Sequence, residues 1–435
     1  MIRDRLLSLT AVAAVLVLAA CDLPLTSFDA ESPRATLRAA DVLELTPAQE
    51  LGEFIFDDED LSINRNQSCA SCHGEDWGAT GPDSEINAAG AVYEGSIPGS
   101  FGDRKPPSSA YATLSPILAQ DKRGLWVGGN FWDGRATGEK LGNPAADQAQ
   151  GPFVNPVEQA LPDRACVVYR VGMASYGDLY RSVWGGNIDA INFPTDTDAL
   201  CSNGSTVPLS SEDNAKVDRE YDNIALAVAA YENSDDVNAF NSRFDLSKRG
   251  GSKLSKEEQR GRSLFQGKAG CAKCHTINGQ QPLFTDFSYD NLGVPVNPEN
   301  PAVVADPNFR DPGLGGFLMR AGYPASVYEA EWGKVKVPTL RNVDARPTPG
   351  SVKAYGHNGY FKSLWSIVHF YNTRDVKPTC ADSFTEMVAL AANCWPAPEI
   401  SENVNRDELG DLGLTREEEE AIVEFLKTLS DGSGS

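Results

Sequence analysis

Two stretches of the chain share one pattern of apolar and polar positions. Leu45-Thr46-Pro47-Ala48-Gln49-Glu50-Leu51-Gly52-Glu53-Phe54-Ile55-Phe56 predicts a helix with Thr46 as N-cap, Pro47 in the first turn and Gln49 closing a capping box. Leu254-Ser255-Lys256-Glu257-Glu258-Gln259-Arg260-Gly261-Arg262-Ser263-Leu264-Phe265 repeats that layout. Gly52 and Phe56 match Gly261 and Phe265, one helical turn apart on one face. The glycine lets another helix approach closely and the phenylalanine fills the contact. Each repeat closes with an apolar helix, expected over Tyr221 to Tyr231 and over Arg416 to Leu429. The second of these is capped by Thr415 with Glu418 and carries Ile422, Phe425, Leu426 and Leu429. Pro- and Gly-rich loops are expected over 98–130, 292–326 and 344–356, and Arg249-Gly250-Gly251-Ser252 marks the boundary between the repeats. The expectation is a mainly α chain with long loops.

The chemistry sits just after each leading helix. Cys69-Ala70-Ser71-Cys72-His73 and Cys271-Ala272-Lys273-Cys274-His275 are both C-x-x-C-H, the attachment sequence for a c-type haem. Two cysteines three apart can each add to one vinyl group of the same porphyrin, and the adjoining histidine can then ligate the iron. A C-x-x-C alone also serves as a zinc knuckle or a redox dithiol. The histidine, and the repetition after similar helices, favour two covalently bound haems. A helix pair crossing at a Gly–aromatic contact above a haem resembles the class I cytochrome c fold. The expected organisation is therefore two such haem domains, 46–248 and 249–429.

Length and composition sharpen this picture. The 435 residues suit two domains with sizeable cores. Arg3 and Arg5 followed by the apolar run Leu6 to Ala20 predict an export signal, too short for a comfortable membrane span. It ends Leu18-Ala19-Ala20-Cys21, which resembles a bacterial lipobox. Residues 1–21 are thus expected to be a lipoprotein signal, Cys21 the lipidated N-terminus and 22–45 a tether. Asp22 resembles an inner-membrane retention residue, so a periplasmic, lipid-anchored location is expected. A net charge of −23 disfavours nucleic acid. Four cysteines remain, Cys166, Cys201, Cys380 and Cys394; an exported chain is expected to pair them. Proximity favours Cys166–Cys201 and Cys380–Cys394.

Between the haem motifs lie Phe131-Trp132-Asp133-Gly134-Arg135-Ala136 and Gln148-Ala149-Gln150-Gly151-Pro152-Phe153-Val154-Asn155-Pro156-Val157-Glu158. Val337-Pro338-Thr339-Leu340-Arg341-Asn342 and His357-Asn358-Gly359 follow later. Together with the paired C-x-x-C-H, these resemble the bacterial di-haem cytochrome c peroxidase and MauG family over about residues 46–429. The resemblance implies a peroxidatic first haem, an electron-relaying second haem and a tryptophan between them. On it, Trp132 is the inter-haem tryptophan, Gln148 the distal glutamine and Glu158 the distal carboxylate. The spacing from Gln148 to Glu158 is kept, and a short insertion, Thr137 to Ala146, precedes them. Such a carboxylate can move a peroxide proton between oxygens while the amide orients the peroxide. Taken alone, Trp132 would read as core packing and Glu158 as a solvated loop residue.

Two departures point to the MauG-like branch. Ordinary members cap the first iron with a histidine, yet none stands between His73 and His275. Conventional members also ligate the second iron with a methionine, where this chain has Tyr371; Met319, Met387 and His369 are the other candidates. A phenolate would lower that haem's potential. The family's inter-domain Ca²⁺ site is also altered. Arg104-Lys105-Pro106-Pro107-Ser108 puts Lys105 in a ligand place, and an ammonium cannot coordinate a cation. Either backbone carbonyls rebuild that site or Lys105 supplies the charge. The expected function is reduction of hydrogen peroxide with electrons from a small redox protein. The alternatives are oxidation of residues on a partner protein, as in the MauG branch, or plain electron transfer.

Overall fold

The computed structural model describes residues 44–432, so the export signal, Cys21 and nearly all of the tether lie outside the described residues. The leading helices form as the capping pattern predicts, at Pro47–Asp57 and Lys256–Gln266. Thr46 N–H donates to Gln49 Oε1 at 2.9 Å, and Ser255 N–H donates to Glu258 Oε2 at 2.6 Å. The second closing helix, Arg416–Lys427, carries the same box between Thr415 and Glu418. The first closing helix is longer than expected. It spans Ser211–Glu232, starting ten residues before Tyr221 after the Ser210 cap. Its first turns are largely polar, so the apolar run alone did not reveal them.

Each leading helix crosses its closing partner at the predicted glycine. A Cβ on Gly52 would fall on the carbonyl of Ala227, and one on Gly261 on the carbonyl of Ala421. The adjoining rings fill the crossing, Phe56 against Tyr231 at 5.4 Å and Phe265 against Phe425 at 5.3 Å. One buried cluster surrounds the first pair and a second surrounds the other. The second cluster includes Phe244, so its packing reaches back across the Gly250-Gly251 turn.

Sheet is scarce. Among the described residues, strands occur as short two-stranded pairings, Ala119–Gln120 with Trp126–Val127, Tyr289–Asp290 with Val335–Lys336, and Thr379–Cys380 with Trp395–Pro396. The 292–326 stretch is not all loop: Pro301–Ala305 and Gly313–Arg320 are helical. Gly315 and Gly316 hide that second helix from a propensity reading; a Cβ on Gly315 would strike Trp332 and Tyr328. Both expected disulfides are present, Cys166–Cys201 and Cys380–Cys394. No helix among the described residues is long and apolar enough to cross a membrane.

The two halves meet along a seam of buried cations. The Arg104 guanidinium forks onto Asp311 with two 2.6 Å hydrogen bonds and also reaches Asp133 at 2.8 Å. Arg341, wholly buried, pairs with Asp245 and lies over the Phe240 ring. The Lys353 ammonium donates to the Trp77 and Asn342 carbonyls, and that of Lys336 to Ser115, Gly129 and Asn130. The Arg104 and Arg341 charges are paired with carboxylates, while Lys336 and Lys353, whose protonated forms burial disfavours, each donate to several neutral oxygens. The seam therefore holds one relative placement of the halves, and Trp132 lies within it.

Candidate active site

Both C-x-x-C-H segments are single tight turns. His73 N–H donates to Cys69 O at 3.0 Å and His275 N–H to Cys271 O at 2.9 Å, which brings the two thiols and the ring to one side. Ala70 N–H donates to Phe56 O, tying the first turn to the end of its leading helix. His73 Nδ1 lies 3.1 Å from Ala79 O, and His275 Nδ1 lies 2.8 Å from Phe284 O. Each carbonyl fixes the ring proton on Nδ1 and leaves the Nε2 lone pair for a metal. Cys69, Cys72, Cys271 and Cys274 are free, whereas the other four described cysteines are disulfide-bonded. Burial pushes the thiols of Cys72, Cys271 and Cys274 up to about 12. Thiols so reluctant to ionise are poor redox dithiols.

A cavity opens over the first turn. Cys69, Cys72 and His73 line it together with Trp132, Gln148 and Glu158, so the structure gathers every residue predicted for the first site. The insertion contributes directly: Asn143 caps a short helix, Pro144–Ala149, that carries Gln148. Glu158 is held by the turn that leads into it. Its Oε2 accepts from Asn155 Nδ2 at 2.8 Å, and burial raises its carboxyl above the usual range against the pull of Asn155 and Arg135. A carboxyl that holds its proton more tightly than usual is suited to giving and taking it near neutral pH.

Trp132 is buried at the seam. Its Nε1–H donates to Lys105 O at 2.8 Å, and its own carbonyl accepts from Lys336 N–H at 2.9 Å. Lys105 N–H in turn donates to His357 O, and the His357 ring stands edge-on to the indole at 6.4 Å. His357 pairs with Glu399 at 3.0 Å. The His-Asn-Gly stretch thus positions the tryptophan from the second half. The Lys105 ammonium is buried and donates to Thr80 Oγ1 at 2.7 Å and Pro106 O at 2.9 Å; burial pushes it down to about 7.

Around the second turn Tyr371 is partly buried, and the ionisation of its phenol is suppressed by burial and then by the nearby Cys271, Asp290 and Cys274 groups. The rival ligands are placed otherwise. Met319 and Met387 are exposed, and His369 has both ring nitrogens engaged, Nδ1 2.8 Å from Glu419 and Nε2 2.6 Å from Lys377. Glu232 lines the first cavity and escaped the sequence reading. It is the last residue of a helix, where an acidic side chain ordinarily reads as solvated.

Two partly buried thiol-pair-and-histidine turns, one beneath a cavity bearing an amide and a carboxyl, define a two-centre haem redox protein. Comparison with known proteins gives its family. Residues 46–253 match the di-haem cytochrome c peroxidase family, CCP_MauG. The chain is 34% identical to the methylamine utilization protein MauG of Paracoccus denitrificans, over 88% of each chain. It is 25% identical to the cytochrome-c peroxidase IdrP2 of Denitromonas iodatirespirans, over 92% of this chain and 84% of that one. Among solved structures it resembles the diheme peroxidase BthA of Burkholderia thailandensis, with 26% identity, a TM-score of 0.70 and coverage of 91% and 89%. The chain belongs to the di-haem cytochrome c peroxidase family and is a haem-dependent oxidoreductase with two haems. Its residues fit that cofactor, because each turn offers two unpaired thiols beside an imidazole oriented by a carbonyl at Nδ1.

Proposed function

We propose that this chain reduces hydrogen peroxide at a haem held covalently by Cys69 and Cys72, with His73 as the iron's protein ligand. The observation that carries the reading is the one cavity shared by that turn, Gln148 and Glu158. When bound, the haem supplies the redox centre at which the O–O bond is cleaved. The Gln148 amide orients peroxide, and Glu158 takes the proton from one oxygen and delivers it to the other. Asn155 keeps the Glu158 carboxyl aimed while it does so. Trp132, anchored on the Lys105 carbonyl, couples this site to a second haem held covalently by Cys271 and Cys274. His275 and Tyr371 would hold the second iron. Each haem sits in a class I cytochrome c-like half, over 46–248 and 249–429. The Lys105 ammonium provides the positive charge at the seam in place of Ca²⁺.

The protein works in the periplasm, exported by residues 1–21 and anchored through Cys21 with 22–45 as tether. Electrons come from a small redox protein. A second reading, oxidation of residues on a partner protein, is favoured by the 34% identity to MauG and by the lack of any histidine between His73 and His275.

Glu158→Gln tests the assignment, since it keeps the shape and removes the titrating group. In rapid mixing of the ferric holoprotein with peroxide, the variant is expected to react about 100- to 10,000-fold more slowly, with both haems still attached. Reaction at the wild-type rate would remove Glu158 from the mechanism.

A further inference from the structure

A line of rings runs from Tyr371 to the surface of the second half. Tyr371 and Phe370 have ring centroids 6.1 Å apart, and Phe370 stands edge-on to Trp395 at 5.2 Å. Trp395 lies 6.0 Å from His369, which stacks on Trp365 at 4.7 Å with planes 19° apart. Trp365 is half-buried, and the Arg416 guanidinium lies 3.9 Å above its ring on an exposed side chain.

The inner edge of the indole is wired to a buried carboxylate. Trp365 Nε1–H donates to Glu419 Oε2 at 3.0 Å. Glu419 is almost wholly buried and also accepts from Asn372 Nδ2 at 2.6 Å and faces His369 Nδ1 at 2.8 Å. Burial disfavours its charge, yet the bonds from His369, Asn372 and Trp365 hold its carboxyl below the usual carboxylate range. Packing alone would be served by a phenylalanine and an apolar partner, without desolvating a carboxylate. An indole between a conduit of rings and a proton acceptor has the parts of a redox relay.

We propose that Trp365 is the port through which electrons enter from an external redox protein and pass along His369, Trp395 and Phe370 to the second haem at Tyr371. The inference rests on the reading of the second haem as an electron relay. Oxidising equivalents left by peroxide reduction withdraw one electron from the Trp365 indole through the rings, and the Nε1 proton moves to Glu419. The neutral indolyl radical then takes one electron from the reduced partner, which is oxidised, and recovers its proton from Glu419. Two such cycles supply the two electrons that one peroxide consumes. The Arg416 charge above the ring opposes loss of an electron unless the proton leaves with it, which is why the carboxylate is required. The donor is a small redox protein with a basic face: Glu417 and Glu420 are exposed beside Arg416 at the port, and the chain carries −23 overall.

The test is steady-state peroxide turnover of the holoprotein with two donors, a basic ferrocytochrome c and small-molecule ferrocyanide. Trp365→Phe is expected to lower the ferrocytochrome rate at least tenfold. It should leave the ferrocyanide rate, the second-haem potential and the single-turnover reaction with peroxide unchanged. Trp365→Tyr, still oxidisable, is expected to recover most of the loss. A ferrocytochrome rate for Trp365→Phe equal to wild type, with full haem content, overturns the proposal. If that variant fails to take up haem, Glu417→Lys on the surface reads the same port. Its KM for ferrocytochrome should rise several-fold with the ferrocyanide rate unchanged, and an unchanged KM counts against the port. Wild-type protein inactive with both donors would instead overturn the peroxidase reading beneath it.

Discussion

Glu232 shows what one buried side chain demands. Its carboxyl lines the first cavity near Cys69, and burial pushes it up to about 8 from an ordinary 4.5. The folded protein therefore holds a proton there that the unfolded chain gives up near 4.5. Stability from this group is complete below that value and is lost as pH rises towards about 8, at up to about 1.4 kcal/mol per pH unit. Glu232→Gln removes the dependence. Relative to wild type, the variant holoprotein is expected to gain melting temperature steadily between pH 5 and pH 8, and a difference that stays flat across that range would contradict the assignment. Glu232 was illegible in the sequence because its burial depends on a cavity built by distant segments. The two C-x-x-C-H turns were legible because covalent chemistry dictates their spacing. Trp132, Gln148 and Glu158 fall between these cases: alone each reads as packing or solvated surface, and only the surrounding motifs single them out.

At the scale of elements, the two helix crossings carry the architecture. Gly261 lets the Lys256–Gln266 helix lie directly on the Ala421 carbonyl, so any side chain there must push the helices apart. Gly261→Ala is expected to destabilise the holoprotein by about 1–3 kcal/mol, the usual range for overpacking. Gly350→Ala, in an open loop with its nearest neighbour at 3.9 Å, is expected to change little. Thermal unfolding compares the two, and equal melting temperatures would mean that the crossing is not close-packed. The crossings could be read from sequence because capping boxes, glycine and aromatic recur at fixed spacing. The start of Ser211–Glu232 could not, since polar turns carry no periodic apolar signal. Gly313–Arg320 was hidden for the opposite reason, because close packing there requires residues that disfavour helix.

Across the whole molecule, the seam makes one enzyme of two similar halves. Arg104, Lys336 and Arg341 are each held by a partner from the opposite half or from the segment joining the halves. Nothing in a single sequence distinguishes such a cation from a solvated one. The arrangement differs at the two turns: a cavity with Gln148 and Glu158 above the His73 turn, and a partly buried phenol beside the His275 turn. The account's central claim is this asymmetry, an open first iron that meets peroxide and a second closed by Tyr371. The EPR spectrum of the ferric holoprotein, recorded for wild type and Tyr371→Phe, tests it most directly. The expected wild-type spectrum has one high-spin signal from the five-coordinate His73 haem and one low-spin signal from the second haem, and Tyr371→Phe should lose or shift the low-spin signal alone. Two low-spin signals in the wild type, or a low-spin signal unchanged in Tyr371→Phe, would contradict the account.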